Sequence, residues 1–347
     1  MRDRLSLQGR LESVISDLNN VIQLPNPIGE ILEERKLPSE LHLIKKRIPI
    51  GVIGIIYEAR PNVTIDVTSL CLKTGNCAIL RGGKETIHTN KALIKAVHAG
   101  LKRAHFPKEC IQLITSTSRL KVKHLLHLDS HIDMIIPRGG AKLQEYCKKE
   151  SRIPVISGGI GICHLFVDKQ VDQERAIDVI VNAKTQRPSV CNSLDTLLVH
   201  EKIAAKFLPK LSAHLPNVSF RLCENAARYL TGISAKISDW QTEWLDLILG
   251  IKVVSSLDEA IEHIQTYSSG HSDGILTDHS PNADLFIQQI DSAAVYVNAS
   301  TRFTDGSQFG LGAEIAVSTQ KLHARGPLGL KELTSYKWIL TGDYLSR

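Results

Sequence analysis

Cys191 is the residue whose surroundings most suggest chemistry. In the stretch Asn182-Ala183-Lys184-Thr185-Gln186-Arg187-Pro188-Ser189-Val190-Cys191-Asn192-Ser193 it follows a Pro-Ser break, between a helical segment and an apolar strand. Apolar positions Ala176, Ile177, Val179, Ile180 and Val181 predict a helix over 173–183, Pro188 disrupts any continuation, and 195–200 reads as a buried strand. A thiol in such a turn can lie near unpaired backbone N–H groups and the cations Lys184 and Arg187, which would favour the nucleophilic thiolate. The plainer reading is a small buried hydrophobe. Arg81-Gly82-Gly83-Lys84-Glu85 places two glycines between two cations, so that backbone could approach a phosphate while charge closes over it. A plain tight turn fits that loop equally well. Asn298-Ala299-Ser300-Thr301-Arg302-Phe303-Thr304-Asp305-Gly306 is a polar loop with one arginine, suited to a carboxylate substrate or to simple solvation.

Elements must hold these loops. The apolar run Ile50-Gly51-Val52-Ile53-Gly54-Ile55-Ile56-Tyr57 predicts a strand buried on both faces of a parallel sheet, emptying into Glu58-Ala59-Arg60-Pro61-Asn62 before a helix over 66–74. Residues 77–80 repeat the pattern ahead of the glycine–cation loop and a helix over 89–103. Strands follow over 111–114 and 132–136, the second ending in Pro137-Arg138-Gly139-Gly140, with helices over 120–128 and 141–149. Ser157-Gly158-Gly159-Ile160-Gly161-Ile162 leads to a strand over 164–167. Beyond Cys191 come a helix over 203–215, a strand over 245–254, a helix over 258–267, and strands over 274–276 and 293–297. Ahead of all these, helical spacing covers 5–22 and a loosely alternating strand covers 41–48. Strands alternating with helices argue for an open α/β sheet that binds ligands at the carboxyl ends of its strands. No loop is the G-x-G-x-x-G fingerprint at its usual place, so an ordinary Rossmann dehydrogenase is not indicated.

Composition narrows the class. The 347 residues suffice for two or three domains with a substantial core, and 43% hydrophobic with 22% charged residues reads as globular. No apolar run nears the ~20 residues of a membrane helix, and the charged start Met1-Arg2-Asp3-Arg4 has no signal-peptide core, so a cytoplasmic location is the default. The seven cysteines, at 71, 77, 110, 147, 163, 191 and 223, form no C-x-x-C pair, which supports neither a metal cluster nor a disulfide scaffold. Net charge is +6, but the basic residues are dispersed and aromatics are only 5%, so the triplet Lys45-Lys46-Arg47 reads as a solvated strand end rather than a nucleic-acid footprint.

Taken together, the segments Val52–Pro61 with Asn62, Leu80–Glu85, Ile136–Gly140, Ser157–Cys163, Asn182–Asn192, His271–Thr277 and Val295–Gly329 resemble the gamma-glutamyl phosphate reductases (glutamate-5-semialdehyde dehydrogenases), proline-biosynthesis members of the aldehyde dehydrogenase superfamily. The resemblance runs from about residue 5 to the end. It implies an α/β, aldehyde dehydrogenase-like fold of two open Rossmann-like domains and a small β oligomerisation hairpin. The NADP-binding domain is expected over 1–39 and 50–185, the catalytic domain over 186–328, and the oligomerisation strands over 40–49 and 329–347. Family members normally carry several tens of residues ahead of the point where this chain begins, so the cofactor domain is expected to be N-terminally shortened.

The same resemblance implies roles. Cys191 would be the nucleophile, and Asn62 the amide that completes an oxyanion hole with the cysteine's own N–H. Arg81, Gly82, Gly83 and Lys84 fall where the adenosine ribose is gripped, the two cations suiting the 2′-phosphate of NADP(H). Arg138-Gly139-Gly140 would pass the pyrophosphate, Gly158 and Gly159 also belong to the cofactor site, and Glu243 or Asp246 would meet the nicotinamide ribose. Asn298, Ser300, Thr301 and Arg302 would line the substrate mouth, Arg302 taking the glutamyl α-carboxylate. Hydrolytic relatives carry a water-activating glutamate just before the Gly-Gly; here Ile156 and Ser157 stand there, and neither is a general base at neutral pH. The expected activity is NADPH-dependent reduction of L-glutamyl 5-phosphate to L-glutamate 5-semialdehyde and phosphate through a Cys thioacyl intermediate, the second step of proline biosynthesis from glutamate. A related acyl-phosphate reductase, a phosphorylating aldehyde dehydrogenase and an inactive truncated form are the alternatives. The expected partners are a small-molecule substrate and further copies of the chain, as a dimer or tetramer, with an association with glutamate 5-kinase; no nucleic acid, membrane or metal is expected.

Overall fold

The computed structural model describes residue 7, residues 9–58 and residues 61–347, so Leu5, Ser6 and Gln8 of the expected first helix, with Ala59 and Arg60, lie outside the described residues. These residues divide into two units: the chain up to Gly158 with 306–317 and 322–347, and 159–305 with 318–321.

Among the described residues the first unit begins with helix α1 (Leu11–Gln23), followed by a three-stranded antiparallel sheet. In it β2 (His42–Pro49) lies between β1 (Ile31–Lys36) and the last strand, Thr334–Thr341. Sequence spacing misses β1 because Leu32-Glu33-Glu34-Arg35-Lys36 exposes nearly every side chain, leaving no inside–outside alternation to read. Residues 31–36, expected within the cofactor domain over 1–39, pair with β2 in the small sheet. A four-stranded parallel sheet follows, in the order β5-β4-β3-β6: β3 (Val52–Tyr57), β4 (Cys77–Arg81), β5 (Ile111–Leu113) and β6 (Met134–Arg138). Its crossovers are α2 (Val63–Lys73), α3 (Ile87–Arg103), α4 (Arg119–Leu126) and α5 (Ala141–Glu150). Ile53, Ile55, Tyr57, Leu80 and Ile136 are fully buried against Val67 and Leu70 of α2, each worth about 1.5–3 kcal/mol on folding. In register, Ile56 stands beside Arg81 and Tyr57 beside Arg138, so both cations emerge at the carboxyl edge.

The second unit is built on a seven-stranded parallel sheet, order β10-β9-β11-β8-β7-β12-β13. Its strands are β7 (Cys163–Val167), β8 (Leu194–His200), β9 (Ser219–Leu222), β10 (Ile233–Ser234), β11 (Ile248–Val254), β12 (Ser272–Leu276) and β13 (Ala294–Val297). Helices α6 (Gln173–Thr185), α7 (Glu201–His214), α8 (Leu257–Tyr267) and α9 (Ser280–Gln289) connect them. The two compact units divide at 158/159, ahead of the 185/186 boundary expected between the cofactor and catalytic domains. The reason is pairing: β7 bonds in parallel to β8 on one side and β12 on the other, and α6 buries Ile177, Ile180 and Ala183 in the same core. That division puts the strand before Cys191 and the strand after it in one sheet.

Candidate active site

The turn that carries Cys191 is tied at both ends. Lys184, at the end of α6, is fully buried; its Nζ donates to the Leu194 carbonyl at 2.8 Å and lies 3.9 Å from Asp195 Oδ1 at the start of β8. Burial pushes the Lys184 ammonium below its ordinary range and the Asp195 carboxyl above its own, each partly offset by the other. A buried ammonium must be paired, and this one is engaged by Leu194 and Asp195, so Lys184 serves the frame of the turn. Inside the turn the half-buried Cys191 offers its carbonyl oxygen to the Cys163 thiol at 3.2 Å. Asn192 Nδ2 donates to the carbonyls of Thr304 at 2.9 Å and Arg302 at 3.3 Å, while Thr301 Oγ1 donates to Asn192 O at 2.7 Å.

Those bonds bring loop 298–305 back from the carboxyl end of β13 to the amino ends of β8 and β12, where Thr304 also meets Ser272 and the Tyr296 hydroxyl. Arg302 Nε donates to Gln186 Oε1 at 3.0 Å, and its two Nη nitrogens have no protein partner among the described residues. Burial lowers the affinity of Arg302 for its proton, Arg187 adds to that, and Cys191 opposes it, which places the guanidinium within electrostatic reach of the thiol. Ser300 Oγ accepts the Arg302 N–H at 3.3 Å, so Ser300 and Thr301 hold the loop. Asn298, at φ +54, accepts the Thr277 N–H and donates to the Thr277 carbonyl, both at 2.8 Å. Its side chain is therefore at the carboxyl edge of the sheet, opposite the edge that holds Cys191.

Sequence reasoning missed the floor of this site. A Cβ on Gly161 would fall 1.5 Å from Cys191 O, so only a glycine lets the two backbones touch. The Gly161 N–H donates to Glu243 Oε1 at 2.9 Å. The signal available was the third glycine of Gly158-Gly159-Ile160-Gly161, which stands outside the Gly-Gly pair. Gly158 and Gly159 are packed too, a Cβ meeting Val317 O and Thr319 Oγ1 respectively at 2.7 Å. Burial raises the thiols of Cys71 and Cys147 to about 12, and also raises Cys110 and Cys163, so these four thiols keep their protons and are not nucleophiles.

In the first unit, Arg81, Glu58, Asn62 and Arg138 share the carboxyl edge of the four-stranded sheet. Arg81 Nη2 donates to Thr117 O at 3.0 Å, and among the described residues Arg81 Nε and Arg138 Nε are buried without a protein partner. Lys84 is exposed after Gly82 and Gly83. Two cations, one with an unsatisfied buried nitrogen, fit the phosphorylated ribose end of a dinucleotide. The Gly139-Gly140 turn is less open: Glu58, which sequence reasoning did not single out, accepts the Gly140 N–H at 3.0 Å, directly at the start of α5. Asn62 lies just ahead of α2, exposed, its Nδ2 donating to Asp66 at 2.9 Å, and burial raises Asp66 to about 6. Among the described residues no helix is long and apolar enough to cross a membrane.

A model of the aldehyde dehydrogenase family matches residues 12–228. The gamma-glutamyl phosphate reductase of Psychromonas ingrahamii is 58% identical over 350 residues, 99% of this chain and 84% of that protein. The enzyme of that name from Vibrio vulnificus is 54% identical over 353 residues, 100% of this chain and 85% of that one. The crystal structure of gamma-glutamyl phosphate reductase from Thermotoga maritima aligns with a TM-score of 0.97 at 48% identity, over 99% of this chain and 84% of that one. The chain belongs to the aldehyde dehydrogenase family, on its gamma-glutamyl phosphate reductase branch. Enzymes of this family act on small molecules with nicotinamide cofactors.

Proposed function

We propose that the chain reduces L-glutamyl 5-phosphate to L-glutamate 5-semialdehyde and phosphate with NADPH, the second step of proline biosynthesis from glutamate. The observation that carries the reading is a half-buried cysteine in a tied turn, with an arginine fork beside it and no acid at the position where hydrolytic relatives hold one: Ile156 and Ser157 are 2% and 0% exposed. The Cys191 thiolate attacks the acyl carbon, its own N–H takes the developing oxyanion, and phosphate leaves with the C–O bonding pair. Arg302 holds the α-carboxylate through its unpartnered Nη nitrogens. Arg81 and Lys84 would hold the 2′-phosphate of the cofactor, and when bound NADPH supplies the reducing equivalent. Because positions 156 and 157 cannot activate water, the thioester on Cys191 persists long enough to be reduced.

The three-stranded sheet supports self-association, since Tyr336, Trp338 and Leu340 alternate on one face at 47%, 45% and 51% exposure. A homo-oligomer of two or four copies is the expected assembly, and a cytoplasmic location and an association with glutamate 5-kinase accompany this reading on the resemblance alone. The activity is tested in reverse. Oxidation of glutamate 5-semialdehyde by NADP should require inorganic phosphate and release the acyl phosphate; phosphate-independent oxidation to the free acid would overturn the proposal.

A further inference from the structure

Gly161 touches the nucleophile's peptide more closely than any side chain permits: a Cβ there would lie 1.5 Å from Cys191 O, 2.4 Å from the carbonyl carbon and 2.8 Å from Cα. Two residues on, the buried Cys163 keeps its proton, because burial holds that thiol well above its ordinary range, and donates it to the same carbonyl at 3.2 Å. Residues 161–163 are therefore the backing against which the Cys191 peptide rests. Their own N–H groups are held in turn, Gly161 by Glu243 Oε1 at 2.9 Å and Ile162 by Ser269 Oγ at 2.8 Å. The residue after Glu243 reaches the turn's other support, since the Trp244 N–H donates at 3.2 Å to Asp195, the partner of Lys184.

We propose that Glu243 is a positioning residue for Cys191: by accepting the Gly161 N–H it presses 161–163 against the Cys191 peptide and so sets the line along which the thiolate meets the acyl carbon. The proposal rests on reading Cys191 as the nucleophile. It separates from a nicotinamide-ribose contact in kinetics. Positioning acts on the rate of bond formation, where a misplacement near 1 Å costs about 100-fold, whereas a cofactor contact acts on cofactor affinity.

The experiment uses the full chain with Glu243→Ala, Glu243→Gln and Glu243→Asp, measuring kcat, KM for NADP and KM for the semialdehyde in the phosphate-dependent oxidation, with melting temperature beside them. Glu243→Ala should lower kcat by about 100-fold with KM for NADP within about twofold. Glu243→Gln keeps an acceptor oxygen and should restore most of the rate; Glu243→Asp draws the acceptor back by one methylene and should stay slow. If Glu243→Ala does not fold, the contrast of an active Gln variant with a slow Asp variant carries the proposal. A Gln variant as slow as the Asp variant, or a raised KM for NADP with kcat retained, overturns it. Turnover by Cys191→Ala would instead remove the nucleophile assignment, whatever the Glu243 variants do.

Discussion

Arg81 and Lys84 leave the carboxyl edge of the four-stranded sheet on side chains that, among the described residues, make a single protein hydrogen bond between them, from Arg81 to Thr117. Cys191, at the amino edge of the seven-stranded sheet, sits in a turn tied by Lys184, Cys163, Asn192 and Thr301. The contrast follows from what each edge is proposed to do. Attraction between charges falls off gradually with distance, so a phosphate can be gripped by long side chains that settle around it. Covalent attack tolerates errors of only a fraction of an ångström, so the nucleophile's backbone has to be immobilised before substrate arrives.

The largest expected effect tests the tied edge. Cys191→Ala should reduce turnover to background while melting temperature and NADPH affinity hold, since the substitution removes the covalent bond and little packing. Cys163→Ala, which loses only a weak S–H donor, should cost a few-fold at most, and the reverse pattern in initial-rate assays would exchange their roles. Next comes a matched pair of glycines. Gly161→Ala must displace the Cys191 carbonyl and should lower kcat by about 100-fold, whereas Gly100→Ala, on α3, has nothing within 4 Å of the new methyl and should change kcat and stability little. Equal effects would show that the backing of Cys191 tolerates displacement.

The third prediction probes the loose edge. Arg81→Ser combined with Lys84→Ser should weaken NADPH by about 1.5–3 kcal/mol per lost charged contact and leave NADH nearly unaffected, as read by fluorescence titration. Equal weakening of both cofactors would remove the 2′-phosphate assignment. Smaller again, Arg302→Lys should raise KM for the semialdehyde about tenfold through loss of the two-pronged contact, with KM for NADP and melting temperature unchanged. A lowered melting temperature with an unchanged semialdehyde KM would make Arg302 a bridge to Gln186 and nothing more.

Acid stability offers a separate comparison, in which His263 and Asp66 should respond with opposite signs. Burial first, then His164 and Lys252, lower His263 from the ordinary 6.5 to about 3. The unfolded chain then takes up a proton that the folded chain refuses, and stability falls by about 1.4 kcal/mol per pH unit as pH drops from 6.5 towards 3. Asp66 is raised from 3.8 to about 6, so its contribution is fully present below 3.8 and is lost as pH rises through 6. Denaturant melts across this range should show His263→Phe flattening the acid limb and Asp66→Asn steepening it.

Much of the scaffold was readable from local pattern. The runs around β3, β4, β6, β7 and β8 are apolar enough to declare buried parallel strands, and the helices between them show their spacing. Elements that expose most of their residues, or have too few residues to show a period, were not readable: β1, β9 and α9. The site divides in the same way. Arg81 ends β4, and Lys84 and Asn62 lie in the loops that follow β4 and β3, so the strand–loop–helix order alone brings them to one edge. The position of Asn298 at the opposite edge from Cys191 could not be read, because loop 298–305 runs the depth of the sheet and only Thr277 shows which end Asn298 occupies.

What the sequence determined by itself was the α/β alternation and the placing of Cys191 in a break between helix and strand, since both follow from the order of apolar runs and Pro188. Tertiary structure alone decided that the division falls at 158/159, that Lys184 is paired with Asp195, and that Gly161, Cys163 and Glu243 form the floor beneath the nucleophile. The physical reason is separation along the chain: the bonds that hold the Cys191 turn in place join residues 28, 82, 109 and 112 positions apart, and no local period encodes a contact that exists only once two strands and a returning loop have packed.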